Sequence, residues 1–177
     1  FRGSGGTDIG AFTKDGDFGI GETSPDTKLH IKGTGDLLKL ESTNTGDGGA
    51  QLDFYHQSTS TANNDLVGII NFGGDDSAGN ATTYSRISGI ATNVSNGSET
   101  GAIQFWTRTN ASTFSEEMRL THQGRLGINT TSPDYKLDVA GNVGINEYIY
   151  HNGDTDTYLR FQADQTDLSA GGNVFSI

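Results

Sequence analysis

An all-β fold is predicted for this chain by three observations. Short runs of alternating apolar and polar residues recur along it, separated by segments rich in Gly, Asn, Ser and Thr. No segment sustains an apolar period of 3.6 residues, so little helix is expected. One phrase is also written twice, at 16–33 and at 124–141. Aligning Gly16 with Gly124 matches Gly19 with Gly127, Ile20 with Ile128, Thr23-Ser24-Pro25-Asp26 with Thr131-Ser132-Pro133-Asp134, Lys28 with Lys136, Leu29 with Leu137 and Gly33 with Gly141. A repeated phrase without catalytic residue types in fixed company points to architecture.

Each copy reads as strand, turn, strand. Phe18 and Ile20 alternate with glycine, as do Leu126 and Ile128, and a glycine inside a strand marks close approach of another backbone. Ser24-Pro25 and Ser132-Pro133 start a turn, because proline presets φ and pushes its predecessor out of the α region. Beyond it, Leu29 and Ile31 alternate with Lys28 and His30, and Leu137 and Val139 with Lys136 and Asp138. Two such strands, read as a β-hairpin, cannot bury their own apolar face. The cover is the rest of the chain or the same motif from another chain.

The other elements follow in order. Residues 1–15 are Gly-rich and read as an extended lead-in. A short strand is expected at Leu37–Leu40, then a polar turn at 42–49. Further strands carry the alternations Leu52/Phe54, Ile70/Phe72, Ile87/Ile90, Ile103/Phe105 and Met118/Leu120, with loops at 57–65, 73–83, 93–101 and 109–116. That spacing predicts a β-sandwich or β-prism rather than βαβ units. After the second copy come strands at Asn142–Ile145 and Glu147–Tyr150, an Asn-Gly turn at His151–Asp154, and a strand at Tyr158–Gln162 with Leu159 and Phe161 facing inward.

Composition narrows the function. Gly accounts for 26 of 177 residues and hydrophobic residues for 32%, a thin supply for a monomer's core. Oligomerisation is a standard remedy, and a fibrous homotrimer would bury one face of each chain against its copies. The net charge of −11 argues against nucleic acid and against anionic lipid. No run approaches a transmembrane helix, so no membrane insertion is expected. Without cysteine there is no disulfide and no thiolate zinc site. The chain opens on Phe1 rather than Met and reads as an excerpt of a longer polypeptide.

The search for chemistry is negative. The four histidines are far apart and lack metal spacing. Asp75-Asp76 and Glu116-Glu117 are the nearest approach to an acid/base pair for cleaving a glycan, but neighbours on a strand point to opposite faces. Asp15-Gly-Asp17 and Asp154-Thr-Asp156 fall short of a calcium loop. Gly19-Ile-Gly21 lacks the helix a dinucleotide site requires. No cofactor, metal or catalytic residue is expected. Tyr55 and Trp106, on the faces opposite Phe54 and Phe105, are the aromatics placed to meet a partner.

The stretch Glu117-Met-Arg-Leu-Thr-His-Gln-Gly-Arg-Leu-Gly-Ile-Asn-Thr-Thr-Ser-Pro133 resembles the repeated phrase of bacteriophage tail fibres and related trimeric viral fibre proteins. There, Met-Arg-(Leu/Ile)-Thr followed by Gly-x-Gly-Ile-Gly-x-Thr-Ser-Pro links successive β-modules along the shaft. Tyr148-Ile-Tyr-His-Asn-Gly-Asp-Thr-Asp-Thr-Tyr-Leu-Arg-Phe161 is similar to a phrase of structural phage fibres. Asn129 departs from the pattern where Gly is usual, and Asn tolerates positive φ better than other side chains.

The resemblance implies an elongated homotrimeric fibre in which a β-sandwich or β-prism module lies between intertwined β-hairpin shaft repeats. Its expected divisions are 1–36 (lead-in and first shaft repeat), 37–121 (central β-module), 122–146 (second shaft repeat) and 147–177 (a β-rich shaft segment continuing beyond Ile177). Phe18, Ile20, Leu126, Ile128, Leu137 and Val139 are then the trimer-core candidates. Tyr55, Trp106, Asp75 and Asp76 are the receptor-contact candidates. The implied partners are two identical chains, other virion tail proteins and a host surface glycan or protein. The implied setting is extracellular, on the virion tail fibre. Two alternatives stand beside host attachment: a tailspike-like polysaccharide depolymerase and a bacterial surface adhesin.

Overall fold

The computed structural model describes residues 9–177. Residues 1–8 of the expected lead-in lie outside the described residues. The chain divides into two compact units, Phe1–Asp53 and Phe54–Ile177. The fold is all-β, as predicted: thirteen strands in three open sheets and no helix among the described residues.

The first unit holds β1 (Gly10–Phe12), β2 (Phe18–Ile20) and β3 (Leu29–Ile31). β1 falls where only a lead-in was expected. It runs antiparallel to β2, but β2 and β3 are parallel, with Phe18 opposite Leu29 and Ile20 opposite Ile31. The hairpin reading of the repeat is therefore corrected: the Ser-Pro-Asp segment is a crossover. Gly21, at φ 68°, turns the chain out of β2. The chain then returns across the sheet directly over Gly19, where a Cβ would run into the Glu22 carbonyl. Backbone bonds from Phe18 N to Lys28 O and from Lys32 N to Ile20 O, both 2.9 Å, close the parallel ladder.

The second unit carries a six-stranded sheet ordered β4-β5-β6-β7-β8-β9: β4 (Asp65–Asp75), β5 (Ala81–Asn93), β6 (Thr100–Arg108), β7 (Phe114–Leu120), β8 (Leu126–Ile128) and β9 (Leu137–Val139). A four-stranded meander follows: β10 (Tyr148–His151), β11 (Asp154–Gln162), β12 (Gln165–Ala170) and β13 (Asn173–Ser176). Within the second unit no strand of one sheet packs on a strand of the other, so this unit by itself makes no sandwich. The second copy of the repeat is no separate joint either, since β8 and β9 are the last strands of the six-stranded sheet.

Other expectations shift with the ladders. The loops expected at 73–83 and 93–101 shrink, because β4 and β5 stay paired to Asp75↔Ala81 past a bulge at Phe72/Gly73, and β5 and β6 stay paired to Asn93↔Thr100. No strand forms at Leu37–Leu40, around Leu52 and Phe54, or at Asn142–Ile145. Alternation is there, but no other segment among the described residues pairs its backbone with these, and a strand exists only as part of a ladder.

The structural repeat is longer than the sequence repeat. β7-β8-β9 reproduces β1-β2-β3 at the same 108-residue offset: Gly10↔Ile20 answers to Met118↔Ile128, and Phe12↔Phe18 to Leu120↔Leu126. The connecting bonds recur as well. Gly21 N donates to Ile9 O (2.6 Å) and Asn129 N to Glu117 O (2.9 Å), while Lys28 Nζ donates to Asp15 O and Lys136 Nζ to Gln123 O, both at 2.8 Å. Asn129 adopts φ 56°, so the one departure from the fibre phrase keeps the turn.

Candidate assembly face and recognition residues

Sheets usually bury their apolar face and leave the polar one to water. Both sheets of the second unit do the reverse. In the six-stranded sheet, Ile70, Ile87, Phe105, Met118, Ile128 and Val139 stand opposite one another in register, one from each strand. The next row on that face is Gly68, Gly89, Ile103, Leu120, Leu126 and Leu137. At the strand spacing of about 4.8 Å, each row spans roughly 24 Å. Ile70, Ile103, Leu120, Ile128 and Leu137 are exposed. Phe54 lies over Gly68 at one end of the second row, and an open groove of about 400 Å³ runs beside Val67, Gly89, Ile103 and Leu120.

The opposite face is closed by the chain's own polar groups together with Ile90 and Ala102, which are buried beside them. The Trp106 indole N–H donates to Ser88 Oγ (3.1 Å), and the Ser88 hydroxyl donates to Gln104 Oε1 (3.1 Å). Gln104 Nε2 donates to Glu116 Oε2 (2.6 Å), and Arg119 grips the same carboxylate through Nε (2.5 Å) and Nη2 (2.7 Å). That grip raises the Arg119 pKa. Ser88 is 1% exposed and Gln104 5%, which only a satisfied network makes tolerable.

The meander repeats the inversion. Ile149, Leu159, Leu168 and Phe175 form a register row across β10–β13, with Leu168 58% and Phe175 63% exposed. On the other face Tyr148 stacks on Tyr150 (4.9 Å), Tyr158 meets Tyr148 edge-on (5.2 Å) and Arg160 lies over Tyr148 (5.1 Å). There Asp167 and Ser169 are buried. The alternation expected for β11 is present: Leu159 stands in this row, and Tyr158 and Arg160 on the other face. An apolar area of this extent marks an interaction site rather than ordinary surface.

The trimer-core candidates fall on these faces. Leu126, Ile128, Leu137 and Val139 close the two rows of the six-stranded sheet. In the first unit, Phe18 pairs with Phe12 and Leu29, their rings 4.5 Å apart, and Ile20 pairs with Ile31. The trimer-core candidates drawn from the repeat leave out their register partners Ile70, Ile87, Phe105 and Met118, which stand in the expected central β-module. The available signal was the polar half of each alternation. Ser88, Gln104 and Glu116 are groups that can satisfy one another, and that marks their face as the closed one.

The receptor-contact candidates do not gather. Tyr55 is 87% exposed in the strandless stretch before β4. Trp106 is half-buried and committed to Ser88. Asp75 ends β4, whereas Asp76 caps the β4–β5 turn: its carboxylate accepts from the Asn80 amide (3.0 Å) and from Ala78 N (2.8 Å). The Asn80 bonds hold the Asp76 pKa below the usual carboxylate range. Glu116 is consumed by Arg119 and Gln104, while Glu117 faces Thr107 Oγ1 at 3.4 Å. Asp17 is taken by Lys28 Nζ at 2.6 Å. No group of three or more His, Asp or Glu side chains among the described residues is arranged to hold a metal ion.

No family model matches the chain, and no curated protein matches its sequence.

Proposed function

We propose that the chain is a structural and adhesive segment of a trimeric viral fibre, of the bacteriophage tail-fibre kind, that attaches the particle to a host cell without catalysis. The observation that carries the reading is the incompletely covered apolar row running through all six strands of a sheet whose other face carries the satisfied polar network. Three copies facing inward would cover these rows and form a β-prism, with the polar networks outside. The shaft phrase at 117–133 and its counterpart at 16–33 support the same architecture, since the trimer-core candidates stand in the apolar rows of each copy. The remaining partners are other tail proteins and a host surface glycan or protein, met outside the cell by three equivalent faces whose weak contacts add through effective concentration.

Light scattering on the purified chain tests the assembly. A particle of three 18.7 kDa chains is expected. A folded, stable monomer overturns the reading. Antibodies against residues 54–177 should block adsorption of the virus that carries the chain; unimpaired adsorption would remove the adhesive part.

A further inference from the structure

On the closed face of the six-stranded sheet, where β5–β7 meet the crossover of the second repeat, lies a cleft of about 290 Å³. Its lining includes the polar side chains of Arg119, His122, Gln123, Arg125, Ser132 and Asp134. Arg119 is committed to Glu116. Arg125 is not. Its Nη1 donates to the Pro133 carbonyl at 2.9 Å, which fixes the guanidinium plane, while Nε and Nη2 make no hydrogen bond among the described residues. Those two groups form the side-on edge of the guanidinium, the donor fork that matches a carboxylate. The side chains of His122, Gln123, Ser132 and Asp134 likewise make no hydrogen bond among the described residues, which leaves hydroxyl-binding donors and acceptors around the fork. A cleft of this size lies at the small end of ligand sites and suits one ring rather than an extended chain.

The first copy of the repeat supplies an internal comparison. It has the same backbone and the same lysine-to-carbonyl bond, but Asp17 stands at the position of Arg125 and Ala11 at that of Arg119. Asp17 is neutralised by Lys28 at 2.6 Å, and Lys14 by its neighbour Asp15 at 2.9 Å. Thr92 and Ala102, which wall the cleft from β5 and β6, have no counterpart there. The joint therefore needs no arginine for its fold. The second copy differs by reversing the charge at a residue that lines the cleft, in a chain whose net charge is −11.

We propose that this cleft binds a carboxylated sugar unit of a host surface glycan, with Arg125 holding the carboxylate and His122, Gln123, Ser132 and Asp134 meeting ring hydroxyls. The inference rests on the adhesive reading above and names its ligand class. The test is calorimetric titration of the full chain with tri-galacturonate and, in parallel, with the neutral galactose trimer. Saturable binding of the acidic trimer alone is expected. Arg125→Asp, which installs the first copy's residue, should weaken it by about 10–100-fold. Arg125→Lys should recover part of the affinity, and Asp17→Ala should leave it unchanged. Equal binding of both trimers, no binding of either, or full affinity in Arg125→Asp overturns the proposal. His122→Ala, which touches no internal bond, gives a second reading if Arg125→Asp fails to fold. Light scattering of each variant separates the two readings: lost sugar with intact assembly bears on the cleft, whereas a monomeric wild-type chain bears on the fibre.

Discussion

Replacing Ile103 by aspartate separates a face open to water from one covered by other chains. Ile103 stands in the second apolar row between Gly89 and Leu120, beside the open groove. Full burial of an isoleucine is worth about 1.5–3 kcal/mol; with 45% of Ile103 exposed in the single chain, roughly 0.7–1.4 kcal/mol per copy is left for an interface. Three copies then forfeit about 2–4 kcal/mol, and each unpaired carboxylate enclosed there costs several kcal/mol more. A loss of at least about 6 kcal/mol lowers the association constant by more than about 10⁴-fold. Ile103→Asp should therefore sediment as single chains at micromolar concentration and neutral pH, where the wild type sediments as trimers. Enclosure raises the pKa of the introduced carboxyl above its free value of about 3.9, so assembly is favoured while the group is protonated and lost as pH rises through the raised value. Ile103→Asp should thus reassemble in part near pH 5, within about two units of neutrality. Sedimentation velocity at the two pH values reads both effects. If the variant and the wild type have the same size at every concentration, the covered-face argument is wrong.

Four further outcomes follow from the chain's internal geometry. Gly127→Ala and Gly19→Ala should each lower thermal stability by about 1–3 kcal/mol, because the new methyl meets the crossover carbonyls of Thr130 and Glu22; an unchanged melt would mean that the crossover does not lie over the glycine. Asn129→Ala should cost about 2 kcal/mol, through φ 56° and the lost bond from Nδ2 to Ala140 O (2.9 Å), whereas Asn129→Gly keeps the backbone and costs less. Glu116→Ala strands Arg119 and Gln104 and should cost about 3 kcal/mol in urea unfolding; the chain's single tryptophan, Trp106, is tied to the same network and should report the change in its fluorescence. Glu22 is held down to about 2, from an ordinary 4.5, chiefly by its hydrogen bond from Lys32. Since its folded value is depressed, the stability it contributes is present above pH 4.5 and lost as pH falls towards 2. Lys32→Ala should return the Glu22 midpoint towards 4.5 in a carboxyl-resolved NMR titration.

Where reading the sequence succeeded and failed has a common cause. Gly19 and Gly127 were read as sites of close backbone approach, and a Cβ at either meets a carbonyl. Asn129 was read as tolerant of positive φ, and it adopts that conformation. These are local properties of one or two residues. Pairing direction is not local: Ser24-Pro25 and Ser132-Pro133 turn the chain either way, and the return over glycine makes β2–β3 and β8–β9 parallel. Leu37–Leu40 and Leu52–Phe54 alternate as strands do, yet no ladder receives them. For the recognition residues the signal was weaker still. Trp106, placed by alternation to meet a partner, spends its N–H on Ser88, and Arg125, which lines the cleft, carries no motif.

The amino-acid sequence by itself determined that this chain is all-β, that its phrase at 16–33 recurs at 124–141, and that its apolar supply is thin, because alternation, glycine and proline act within a few residues. Only the tertiary structure decided which side of each strand is closed. Alternation distributes apolar and polar side chains to two faces without saying which one the chain covers. That is settled by cross-strand register, which sets Ser88, Gln104, Glu116 and Arg119 within hydrogen-bond reach and leaves the row from Ile70 to Val139 only partly covered.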